Sequence, residues 1–205
     1  MDGVSKDVLD SKRLVLFVGR LELRKGIDLA LQAAEAFLAA DATAHFIVAG
    51  RDVEGWKEKS KGLLSSAIQG RVHFLGEVAD ATRDKLMAHA YCMLFPSRYE
   101  SFGLVPLEGF VHGTPVIASR SGAIPEVVED GVSGLLFKAE SADSLAQATI
   151  RMLKDPGLRA SLSAGALRRV RTLSSRNSAE HSVALYNRLL DGSAHGGKSH
   201  SLLEQ

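Results

Sequence analysis

Five short apolar runs, each unbroken and separated from the next by a segment of helical character, constrain this chain more tightly than any other feature. They read LVLFV (14–18), HFIVA (45–49), RVHFL (71–75), CMLF (92–95) and PVIA (115–118). A strand with one face in water alternates apolar and polar residues, whereas a strand buried on both faces is continuously apolar. Between the first two runs lies KGIDLALQAAEAFLAA, where Ile27, Leu31, Ala34 and Leu38 recur along one helical stripe. Further helical patterns over 54–66, 80–89 and 106–112 separate the later runs. Strands that alternate with helices imply a parallel sheet covered on both sides. The expected architecture is therefore α/β, a single Rossmann-like, doubly wound parallel sheet spanning 14–190. A sixth short strand is expected at GLLF (134–137), followed by helices over 141–154, 156–173 and 178–190. Ser141 suits an N-cap, and Asp155-Pro156 suits a helix boundary. Residues 1–13 read as a linker-like N-terminus, and residues 191–205, rich in Gly, Ser and His, as a disordered tail.

Charge narrows the function classes. With 25 basic and 24 acidic residues the net charge is +1, which supplies no global field for nucleic acid and favours a small-molecule partner. The single cysteine, Cys92, lies in the apolar run YCMLF and reads as core. No apolar stretch approaches the roughly 18–20 residues needed to span a bilayer, and MDGVSKDVLDSKR is too polar for a signal peptide. The expected location is cytoplasmic.

Two loops carry chemistry. The turn after the first run reads Gly19-Arg20-Leu21-Glu22-Leu23-Arg24-Lys25-Gly26 and leads into the long helix. Ligands of open α/β sheets bind beyond the carboxyl ends of the strands, where helix N-termini also point. Gly19 would let the backbone approach a ligand there; Arg20 and Lys25 would neutralise a diphosphate. The plain alternative is a tight turn carrying solvated cations. The pattern is neither G-x-G-x-x-G nor a Walker loop, which argues against an ordinary dinucleotide or ATPase site.

The second loop follows CMLF and reads PSRYESFGLVPLE. Pro106 fits a first helical turn, so the amides of Gly103, Leu104 and Val105 should lie at a helix N-terminus, open to an anion. Glu100 and Glu108 are eight residues apart and could accept from different hydroxyls of one extended ligand while the amides between them hold phosphate. The plain alternative is a solvated Glu100 and a Glu108 that complements the helix dipole from the first turn.

FVGRLELRKG (17–26) together with PSRYESFGLVPLEGFVHGTPVIASRSGAIPEVVEDGVSGLLF (96–137) resembles the C-terminal, donor-binding half of the retaining GT-B glycosyltransferases of family 4. The resemblance covers about 14–155. It implies an E-x7-E motif at Glu100 and Glu108 and a basic pair at Arg20 and Lys25 that clamps the diphosphate of a UDP-, GDP- or ADP-sugar. Glu100 would address the donor sugar, Glu108 the ribose, and the backbone of Gly103, Leu104 and Val105 would support phosphate and sugar, with Phe102 in the same donor site. Val78 would lie near the base and Gly50 near the donor cleft. Arg20, Lys25 and Glu100 are thereby the expected catalytic residues, acting with no metal and no further cofactor. No two aspartates stand two positions apart, as an Asp-x-Asp metal motif would require. Retention by front-face attack is the mechanism the resemblance implies, so Glu100 is not assigned as a nucleophile.

The resemblance also implies a two-domain enzyme, at the inner face of the membrane in some full-length members, whose N-terminal domain binds the acceptor, a saccharide or lipid-linked saccharide. That half is expected to be absent from these 205 residues, leaving the isolated chain inactive. Ser174-Ser175-Arg176-Asn177 occupies the expected crossover region without a tryptophan. The competing expectations are a stand-alone nucleotide-sugar binding module and a GT-B epimerase. His45, His73, His89 and His112 read as packing or capping residues, Trp56 as a helix anchor, and Gly122, Ile124, Pro125 and Glu126 as a turn that shapes the cleft.

Overall fold

The computed structural model describes residues 13–101, 103–173, 183–184 and 186–187. Contacts divide the chain after Val170 into two units, and the sheet and every site residue discussed below belong to the first. Six strands form the sheet: β1 (Leu14–Val18), β2 (His45–Ala49), β3 (Val72–Gly76), β4 (Cys92–Phe95), β5 (Val116–Ser119) and β6 (Gly134–Phe137). All pairings are parallel, and the order is β3-β2-β1-β4-β5-β6. The chain thus builds outward from β1 to one edge, then crosses back to lay β4 on the other side of β1. That reversal opens a crevice beyond the carboxyl ends of β1 and β4, the position at which open α/β sheets bind ligands.

The helices are α1 (Ile27–Ala40), α2 (Trp56–Leu63), α3 (Ser66–Gln69), α4 (Asp80–His89), α5 (Leu104–Val111), α6 (Ile124–Val127), α7 (Ala142–Lys154) and α8 (Pro156–Thr172). In α1 the expected stripe is buried, and so are Leu29, Ala30, Ala33 and Phe37. The wider burial has a cause: α1 has the sheet on one side and α7 packed along another. Small Ala side chains let such layers approach closely. Ser141 caps α7 as expected, its hydroxyl accepting from the Ser144 amide at 3.1 Å. Asp155 does the same for α8 through the Leu158 amide at 2.8 Å.

Strands β4 and β5 are buried along their whole length, which explains their unbroken apolar runs. β3, at one edge of the sheet, is different and nowhere fully buried, whereas β6 at the other edge is mostly buried. The helical pattern over 54–66 resolves into two pieces, with Leu64 in extended conformation between them. Cys92 is fully buried in the core, and desolvation pushes its thiol up to about 12. Trp56 is buried and anchors α2, its indole N–H donating to Glu54 at 3.0 Å. Among the described residues no helix is long and apolar enough to cross a membrane. Of the helix expected over 178–190, Val183, Ala184, Tyr186 and Asn187 are described and helical. Residues 1–12, Phe102, residues 174–182 and the tail 191–205 lie outside the described residues.

Candidate functional site at the sheet crossover

Three strand ends meet at the floor of the crevice. The Gly19 amide donates to the Ala49 carbonyl at 3.0 Å, and the Gly50 amide to the Gly76 carbonyl at 2.7 Å, so β1, β2 and β3 leave the sheet in step. Gly50 has φ +145°, and a Cβ there would stand 1.8 Å from the Gly19 carbonyl oxygen. Only glycine allows both that backbone conformation and that approach. Gly19 and Gly50, singled out for different reasons, therefore share one surface.

After Gly19 the chain turns through a 3-10 helix, Leu23–Lys25, closed by Gly26 at φ +72° with its amide on the Leu23 carbonyl. A Cβ on Gly26 would fall 2.1 Å from the Pro96 carbonyl oxygen. The turn after β1 is thus pressed directly onto the loop after β4. This contact carries Lys25 to Glu100: Nζ and Oε1 are 2.5 Å apart, with side-chain exposures of 19% and 12%. Removing two charges from water is costly, and their mutual attraction at this distance offsets part of that cost.

Arg20 does not join them. Its guanidinium is 58% exposed and lies 3.3 Å from Glu22, which Arg24 also contacts at 3.0 Å. Arg20 thus has an exposed side chain paired with a largely buried carboxylate, and a more strongly charged anion could draw its guanidinium away.

Gly103, at φ +83°, opens α5. The helix begins two residues earlier than its proline pattern implies, so Leu104 and Val105 form its first turn with Pro106. Their orphan amides belong to the helix start, as anticipated. Glu108 shifts accordingly into the second turn. There it faces Arg83 of α4, whose guanidinium lies 3.7 Å from Glu108 and 3.5 Å from Asp80. The Nε of Arg83 and Oε2 of Glu108 are both buried and lack hydrogen-bond partners. Val78, half-buried, sits on the loop between β3 and α4. Beside the start of that loop, Leu21, Gly50, Asp52, Lys57, Phe74 and Gly76 line a cavity of about 190 Å³.

The sequence reading missed the residues that support this site. Arg98 bridges the two loops, Arg83 meets Glu108, and the Ser121 hydroxyl donates to the Ser97 carbonyl at 3.1 Å. Arg98 stands two positions before Glu100, which was a usable signal. Nothing local in DATRDK marks Arg83 as a partner of a residue on another helix.

The doubly wound sheet brings together at its crossover a Lys–Glu pair shielded from water, an exposed arginine and a glycine-started helix, groups that can donate to an anion and accept from hydroxyls. Residues 5–169 match the family described as glycosyl transferases group 1, and the chain belongs to that family. It is 38% identical over 161 residues to the phosphatidyl-myo-inositol mannosyltransferase of Mycolicibacterium smegmatis, covering 77% of this chain and 40% of that protein. Sucrose-phosphate synthase from Thermosynechococcus elongatus superposes with a TM-score of 0.73 at 29% identity, over 91% of this chain and 47% of that one. The C-terminal domain of a glycosyl transferase group 1 protein, LpcC of Francisella tularensis, has the same fold, with a TM-score of 0.73 at 22% identity, over 84% of this chain and 93% of that domain. The chain therefore spans less than half the length of the mannosyltransferase and of the synthase. The sheet is the Rossmann-like sheet of GT-B glycosyltransferases.

Proposed function

We propose that this chain is the donor-binding half of a retaining glycosyltransferase that takes a hexose from a nucleoside diphosphate sugar. The single observation that carries the reading is the Lys25–Glu100 pair, a cation and a carboxylate held together at the crossover beside a helix start. Phosphate requires donors and sugar hydroxyls require acceptors, and this arrangement presents both within one donor's reach.

In this reading Lys25 and Arg20 meet the diphosphate. Arg20 leaves Glu22 to do so, and its fork then stabilises charge as the bond to the sugar breaks. The amides of Leu104 and Val105 add a fixed dipole at the same place. Glu100 orients the sugar and also keeps Lys25 in position before donor arrives. Glu108, whose buried Oε2 has no hydrogen-bond partner, accepts from the ribose. The base enters the cavity lined by Leu21, Gly50 and Gly76, next to the loop that carries Val78. The two cations and the helix start then balance the leaving group's charge without a metal ion. Attack comes from the face that the nucleotide leaves, so configuration is retained with no protein nucleophile.

The acceptor, a saccharide or lipid-linked saccharide, is assigned to an N-terminal half outside these 205 residues, a division supported by the fraction of each relative that the chain spans. Leu23, Tyr99 and Leu104 are apolar and exposed around the crevice, a surface suited to being covered by that half.

Calorimetry with UDP-, GDP- and ADP-sugars tests the reading. One of them should bind. Arg20→Ala and Lys25→Ala should each weaken it about ten- to a hundredfold, as expected for a hydrogen bond to a charged group. Glu108→Ala should weaken nucleotides while leaving inorganic pyrophosphate unchanged. A folded chain that binds none of the donors overturns the assignment.

A further inference from the structure

Lys25 and Glu100 belong to loops 75 residues apart in sequence, and neither loop is part of a strand. Something must hold them in register, and one side chain touches both flanks of the Lys25 segment. Arg98 donates to both oxygens of Asp28 at 2.7 Å each. The same guanidinium donates to the Leu23 carbonyl. Leu23 lies two residues before Lys25, and Asp28 three residues after it, in the first turn of α1. Arg98 therefore brackets the lysine. Its own backbone amide completes the seam, donating to the Arg24 carbonyl at 2.9 Å.

A third loop enters through Nε of Arg98, which lies 2.9 Å from Glu140. Glu140 has φ +60°, the left-handed region that disfavours a residue with a Cβ, and among the described residues it is the one non-glycine found there. The ion pair to Arg98 accompanies that unfavourable backbone. The Arg98 side chain is 26% exposed and that of Asp28 13%, so the forked pair is largely shielded from water. Hydrogen bonding to Asp28, with its charge and that of Glu140, raises the Arg98 pKa further above its already high value.

We infer that Arg98 is a positioning residue of the donor site: its guanidinium straps the turn after β1 to the loop after β4 and so sets the distance between Lys25 and Glu100. This rests on the donor-binding reading above and goes beyond it, because the Arg98 guanidinium is engaged by Asp28, the Leu23 carbonyl and Glu140 and is assigned no contact with the donor. A point charge would not serve, since the strap uses a planar fork on Asp28 together with a carbonyl and a second carboxylate.

The test compares Arg98→Ala, Arg98→Lys and Arg71→Ala. Arg71 bonds the carbonyls of Leu38, Asp41 and Ala44 at the opposite end of the sheet and controls for loss of a buried arginine's stabilisation alone. UDP and GDP serve as probes, with hydrogen exchange at Lys25 and Gly26 as a second readout. Arg98→Ala should weaken the bound nucleotide by roughly tenfold or more, the scale expected when a charged contact is misplaced. Arg98→Lys should recover only part of this, and exchange at Lys25 and Gly26 should quicken in both. Arg71→Ala should lower the melting temperature without either change. Wild-type affinity in Arg98→Ala, or the same loss in Arg71→Ala, overturns the strap. A wild-type chain that binds neither nucleotide nor any donor overturns the donor reading instead, while unchanged exchange in Arg98→Ala still refutes the strap.

Discussion

At the scale of single residues the site depends on closeness that only certain side chains permit. Gly50 meets the Gly19 carbonyl where any Cβ would collide with backbone, and backbone cannot swing aside as a flexible side chain does. Gly50→Ala should therefore combine an unfavourable φ with overpacking and cost roughly 2–4 kcal/mol. A urea titration would show this as a lowered midpoint at unchanged slope; a wild-type midpoint would mean that β1 and β2 part more easily than their geometry implies. Lys25 and Glu100 pose the opposite problem. Their types and spacing were visible in the chain, but their pairing was not, because an ion pair depends on a few ångströms set by two loops. Arg20 was equally visible, and the structure turns it to Glu22 rather than to Lys25.

Elements show where local pattern stops being informative. The apolar runs located all six strands to within a residue, since burial on both faces writes itself into composition. They did not separate the central strands from β3, whose residues are half-buried at the edge. There His73 lies 3.1 Å from His45 on β2, ring nitrogen to ring nitrogen. Burial, followed by Arg71, depresses His45; burial, followed by His45, depresses His73. Both fold as neutral bases with pKa values below the ordinary 6.5. The unfolded chain then takes up protons first as pH falls, so stability is full above about pH 6.5 and is lost as pH falls through the folded values. Melting temperatures between pH 7.5 and 5 should decline through this window and flatten in the His45→Phe/His73→Phe double variant. An identical slope in that variant would remove the pair from the acid response.

For the whole molecule, the proposal divides binding from transfer. The 205-residue chain supplies cations, carboxylates and a helix start at the crossover between β1 and β4. Alone it should bind donor and transfer nothing to saccharide or lipid-linked acceptors, because in the proposed reading the wall that orients the acceptor and excludes water belongs to another half. Mixing with the acceptor-binding half of a relative, or fusing the two, should restore turnover. Transfer by the chain alone would show that the crevice is already complete. Donor binding with no turnover in either the mixture or the fusion would favour a stand-alone binding module.

The sequence by itself determined the alternation of strand and helix, the α/β class and the two loops that carry chemistry. Each of these is written in local periodicity or in the types of neighbouring residues. Tertiary structure decided which residues meet: β4 beside β1, Lys25 on Glu100, Arg98 across both loops, Arg83 against Glu108. Those contacts follow from a crossover that returns the chain to its first strand after four intervening α-helices and two strands, and no window of sequence spans it. The start of α5 shows the same limit on a smaller scale. Pro106 marked a first helical turn, but Gly103 and its neighbours set where that turn began, moving Glu108 from the first turn to the second and toward α4.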